Sequence, residues 1–117
     1  MSTKSLKTCV QEVFRKKFVD LKAQIELNLE SASAQLYADG IITETVYEGR
    51  TFFNIHKCFI HGLKDDTQQC ISHCEKFFKA LENEGGPLES LVNDIKREIN
   101  ELVATNTNNH AQVIFPI

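Results

Sequence analysis

Six residues able to hold a metal or run thiol and acid–base chemistry crowd into one stretch: His56, Cys58, His61, Cys70, His73 and Cys74. The spacings Cys58-x-x-His61 and Cys70-x-x-His73 let a helix offer a thiolate and an imidazole on one face, and zinc favours that donor set. Such a site needs both pairs to face each other. Cys70 and Cys74, however, share the apolar phase of Ile71 and Phe77, where cysteine behaves as a small hydrophobe. A histidine-activated cysteine nucleophile is a second chemistry open to Cys58 with His61 or Cys74 with His73. Adjacent helical residues point about 100° apart, which keeps His73 from sharing a proton with Cys74. No oxyanion-hole signature or third orienting group accompanies either pair. The five glycines (40, 49, 62, 85 and 86) all fall near expected helix ends, so no phosphate cradle is spelled. The residues therefore predict a non-enzyme with no cofactor and no metal, and a small Cys/His metal-binding helical protein stands as an alternative.

The elements that position these residues follow from composition. A chain of 117 residues makes one domain and can bury roughly two-thirds of its unfolded surface, so it needs no metal or disulfide to fold. A net charge of −3 implies no general affinity for nucleic acid or anionic membrane. The charge is uneven: residues 1–64 are net basic and residues 65–117 strongly acidic, an arrangement suited to association between copies. The first 20 residues are lysine-rich and lack an apolar core segment, so they do not read as a signal peptide. The four cysteines are then expected reduced, in a cytoplasmic protein.

Proline occurs only at 87 and 116, and helical periodicity runs throughout. Leu6, Cys9, Val10, Val13 and Phe14 mark one face of a first helix over 5–18, with a phase shift at Val19-Asp20. Leu21, Ile25, Leu29, Ala32 and Leu36 mark a second, ended by Asp39-Gly40. Thr43 caps a short third helix with Glu44 favourably placed against its dipole. Phe52, Ile55, Phe59 and Leu63 give a fourth, closed near Gly62. Asp66-Thr67-Gln68-Gln69 starts a fifth carrying Cys70, Cys74, Phe77 and Leu81. Gly85-Gly86-Pro87 turns at once into a sixth carrying Leu88, Leu91, Val92, Ile95, Ile99 and Val103. Phe14, Phe52, Phe59 and Phe77 read as core, Phe53 and Phe78 as its margin. The prediction is an all-α, six-helix antiparallel bundle over residues 1–104. Residues 105–117 read as a flexible C-terminal tail or linker, and the apolar run Val113–Ile117 has no evident role. The start at Met1 and the polar run after Ala104 fit an N-terminal domain with a further region downstream.

Two stretches resemble the caspase-recruitment domain (CARD) branch of the death-fold superfamily. Leu36-Tyr37-Ala38-Asp39-Gly40-Ile41-Ile42-Thr43-Glu44-Thr45-Val46-Tyr47-Glu48 is similar to that family's junction between second and third helices. Cys74 through Leu81 and Gly86 through Val92 are similar to its fifth and sixth helices. The likeness covers about residues 5–104 and rests mostly on core positions. The sixth helix is longer than is usual for the family, and the first lacks the sharp break many members show unless Val19-Asp20 supplies it. No arginine-aspartate-leucine signature is present, which separates the chain from the death-effector branch.

The resemblance implies homotypic docking. In that family a basic face on the first and fourth helices meets an acidic face on the second and third of the next molecule. The basic positions here are Arg15, Lys16, Lys17, Arg50 and Lys57, and the acidic ones Glu30, Asp39, Glu44 and Glu48. A head-to-tail contact of this kind does not close on itself and builds filaments. The implied partners are other CARD-like domains, of this chain or another, in apoptotic or innate-immune signalling. The plain alternative is that these are solvated helix faces and dipole-compensating charges. A monomeric bundle that binds a peptide or partner helix in a groove is the third reading.

Overall fold

The computed structural model describes residues 4–107 and 113–117, and the described residues form seven α-helices and no strand. They are α1 (Leu6–Lys16), α2 (Phe18–Leu27), α3 (Leu29–Ala38), α4 (Glu44–Glu48), α5 (Phe52–His61), α6 (Thr67–Glu82) and α7 (Gly86–Thr107). The all-α expectation holds, but the helix count and two boundaries differ. The first break falls at Lys17, before the phase shift at Val19-Asp20. Lys17 leaves helical geometry (φ −95°, ψ 9°) yet its N–H still donates to Val13 and its carbonyl still accepts from Leu21. The expected second helix is two, because Asn28 (φ −124°, ψ 25°) turns its side-chain amide onto the Gln24 carbonyl at 2.9 Å. Asparagine competes with the helix ladder in this way wherever its short amide reaches the backbone.

The expected caps are in place. Thr43 Oγ1 accepts from the Val46 N–H, and the Asp66 carboxylate accepts from the Gln69 N–H at 2.9 Å. Ser5 and Thr51 cap α1 and α5 in the same manner. Gly85 (φ +66°) and Gly86 (φ +56°) both occupy the left-handed region, which lets α7 begin after a turn of three residues beyond α6.

Helix α7 packs against α1, α2 and α6, while α3 and α5 are joined by the short α4. Phe14 sits at the centre: its ring stacks on Phe59 at 4.6 Å and meets Phe77 and Phe78 at about 6 Å, and Phe59 meets Phe77 at 4.3 Å. Each fully buried phenylalanine contributes roughly 1.5–3 kcal/mol. Phe53 and Phe78, both expected at the margin of the core, fall on either side of it: Phe53 is exposed and Phe78 is buried.

Helix α7 runs past the expected boundary at Ala104, to Thr107. Part of the expected tail, residues 108–112, lies outside the described residues. Beyond them Phe115 is buried, and its ring meets Phe78 edge-on at 5.3 Å. The terminal apolar run thus has one anchored residue. Among the described residues, no helix is long and apolar enough to cross a membrane.

Candidate interaction surface

The nine charged residues singled out above occupy several distinct settings. Lys16 and Lys17 close α1, where cations offset the helix dipole. Both also reach α7: Lys16 Nζ lies 2.8 Å from Glu98 Oε1, and Lys17 Nζ 2.8 Å from Glu98 Oε2. Hydrogen bonds from Lys16 and Lys17 hold the Glu98 carboxyl below its usual range, and the bond to Glu98 raises the Lys17 ammonium above its own. These two lysines are thus engaged within the chain at the α1–α7 seam, which also forms an open groove of about 410 Å³ lined by Val13, Glu101 and Leu102. Arg15 is exposed and makes no ion pair among the described residues.

Arg50 lies between α4 and α5 rather than on a helix face. Its guanidinium donates to the Tyr47 carbonyl at 3.1 Å and lies 4.8 Å from the centre of the Tyr47 ring. Tyr47 in turn stacks on Tyr37 at 5.1 Å with the planes 13° apart. Arg50, Tyr47 and Tyr37 form a layered stack that fixes the guanidinium at the α3–α4 corner. Lys57 is exposed on α5 and, with Thr43, Val46, Asn54, Cys58 and His61, lines a groove of about 560 Å³ between α4 and α5.

The acidic residues stand on α3 and α4. Glu30 is exposed in the first turn of α3, and Glu44 and Glu48 are exposed at the two ends of α4. None of the three makes an ion pair among the described residues, where seven other pairs form. Asp39 caps α3 and accepts from the Gln35 side chain at 3.1 Å. Lys57 and Arg50 therefore share the α4 corner with Glu44 and Glu48, while Arg15 belongs to α1.

The Cys/His cluster is dispersed. Cys70 and Cys74 are buried, and hydrogen bonding to Cys70 with burial pushes the Cys74 thiol far up. Cys58 is half-buried, and its thiol donates to the Ile41 carbonyl. His73 Nε2 bonds the Phe59 carbonyl at 2.9 Å, and its ring stacks on Phe59. His56 packs among Phe14, Phe18 and Phe52, with its Nε2 buried and unpartnered. All four thiols are unpaired, and among the described residues no three metal-capable side chains converge.

Sequence reasoning missed Glu98 and Asn100. Both lie on α7 off its apolar stripe, beside Ile95 and Ile99, and only their partners distinguish them from solvated residues. Compared with known proteins, the chain matches no family model, no curated protein and no solved structure.

Proposed function

We propose that this chain is an interaction module of the death-fold, CARD-like type that docks with copies of itself or with similar domains. The observation that carries the reading is a set of exposed charges outside the intrachain ion pairs: Lys57, Glu44 and Glu48 around the α4 corner, Glu30 on α3 and Arg15 on α1. Other exposed charges, Lys64, Glu75, Lys76 and Lys79 among them, also stand outside the seven ion pairs, so the complementary signs of the set, rather than its being unpaired, support the docking role. Charges left over on different elements suit a contact between molecules, where complementary fields steer encounter and fix register. Each exposed pair is worth only about 0–1 kcal/mol, so several must repeat along an assembly.

The helix count supports the resemblance once α1 and α2 are taken as one helix interrupted at Lys17, where backbone bonds continue on both sides. Six helices then remain, the number the resemblance implies, although the second of them is then α3 alone. The resemblance carries the wider role: cytoplasmic apoptotic or innate-immune signalling, in which assembly raises the local concentration of a downstream enzyme.

The test pairs two variants by light scattering at low salt. Arg15→Glu with Lys57→Glu weakens self-association without loss of helicity, and so does Glu44→Lys with Glu48→Lys. Mixing the two restores association, which fades as salt screens it. Undiminished self-association of both variants rejects the docking surface.

A further inference from the structure

Helix α2 is apolar on both of its sides. Leu21 and Ile25 are fully buried in the core, and on the opposite side Val19, Ala23 and Leu27 stand exposed. Val19 is 75% exposed and Leu27 77%, more than any other large apolar side chain among the described residues. Their spacing of four sets the three residues in a row about 12 Å long. A surface helix ordinarily turns charged and polar residues outward, and here this row takes their place. Beside it, α2 and α7 frame an open groove of about 300 Å³ lined by Ala23, Pro87 and Leu91, with Asp20 and Asp94 also on its walls. Apolar surface therefore continues from the row onto the start of α7. Exposed apolar surface edged by charge marks a contact face.

The row is complementary to itself. It is symmetric about Ala23, with one branched aliphatic side chain a turn before it and another a turn after. Two α2 helices laid antiparallel bring Val19 of each copy to Leu27 of the other, and the small Ala23 pair at the axis lets the backbones approach. The charges agree with this order. Lys22 and Glu26 border the row on one flank, 3.0 Å apart and each about half exposed. Reversing the helix sets each lysine beside the second copy's glutamate, so opposite charges meet twice. We infer that the outer face of α2 is a homodimer interface, covered by the same face of a second copy of this chain running antiparallel. Such a contact uses the same patch on both molecules, closes on a two-fold axis and stops at two. One ten-residue helix with its groove offers less than the roughly 800 Å² per partner of a standard interface, so the dimer is weak, with a Kd on the order of 100 μM. It uses none of the charges assigned to docking and is independent of that proposal.

Sedimentation equilibrium of the full chain in ~0.5 M salt, where assembly through exposed charges is screened, tests the interface. The wild type is expected to show monomer and dimer with no larger species. Val19→Ser with Leu27→Ser should weaken the dimer by about 10-fold or more at unchanged helicity, since both side chains lie outside the core. Arg15→Glu with Lys57→Glu should dimerise as the wild type does, which keeps the two surfaces separable. Under air oxidation Ala23→Cys should cross-link into a covalent dimer, and Phe53→Cys, at an exposed position on α5, should not. A wild-type chain that stays monomeric at about 1 mM leaves the face to a different protein and overturns the proposal. So does a dimer that the two serines leave unweakened, or equal cross-linking of the two cysteine variants. Should the serine variant lose helicity, the cysteine pair decides.

Discussion

Lys17 and Glu98 face each other across the α1–α7 seam with their charged atoms 2.8 Å apart. Both side chains are only about one-fifth exposed, and Lys16 reaches the other carboxylate oxygen from the same turn. One carboxylate thus ties the end of α1, where the backbone departs from helical geometry, to the longest helix of the fold.

Glu98→Ala should release that tie. Discounting for partial solvent screening, the expected loss is about 1 kcal/mol, or roughly 4 °C in Tm. The folded-state pKa of Glu98 is depressed, so its contribution is fully present above the unfolded carboxylate value near 4.5 and is lost as pH falls through the folded value. Thermal melts of wild type and variant should differ at pH 7 and converge well below pH 4.

His56 and His73 work in the opposite range. Burial lowers both below the ordinary 6.5, though for His73 the Phe59 carbonyl pulls the other way. The unfolded chain binds these protons more readily. Stability is therefore level above pH 6.5 and declines as pH falls from there through the folded values, by up to about 1.4 kcal/mol per pH unit for each proton taken up. No charged group contributes to the His56 shift, and no acceptor meets its Nε2. His56→Leu should flatten the decline in denaturant midpoint between pH 7 and 5.5. An unchanged slope would assign the acid sensitivity elsewhere.

Gly62 closes α5 directly against His73. A Cβ at position 62 would lie 2.6 Å from the His73 Cε1 and 3.3 Å from the Cys58 carbonyl oxygen. Gly62→Ala must therefore displace the imidazole from its stack on Phe59, at a cost of about 1–3 kcal/mol. Gly49→Ala, where the nearest atom is 3.8 Å away, should cost well under half as much in the same urea titration.

Local chemistry was readable from the chain. Thr43, Asp66, Gly40 and the Gly85-Gly86-Pro87 corner punctuate the helices by interactions among near neighbours, and those punctuate any sequence alike. Asn28 escaped notice because the apolar stripe Leu21, Ile25, Leu29, Ala32, Leu36 continues across it unbroken. A kink that preserves phase leaves no trace in periodicity. The pairing of Lys16 with Glu98 spans 82 residues, and the burial of Phe78 depends on Phe115. Both are set by how helices meet, which no local pattern encodes. The apolar phase of Cys70 and Cys74, legible in the sequence, argued against a metal site; both are buried, whereas the position of Cys58 and His61 on the α4–α5 groove depends on how those helices meet.

The chain has no tryptophan and two tyrosines, and both tyrosines, Tyr37 and Tyr47, belong to the stack that carries Arg50. Ultraviolet emission from this protein is consequently a reporter of one corner alone. A molecule settling on α4 would declare itself optically without any dye, while events at the α1–α7 seam would stay dark.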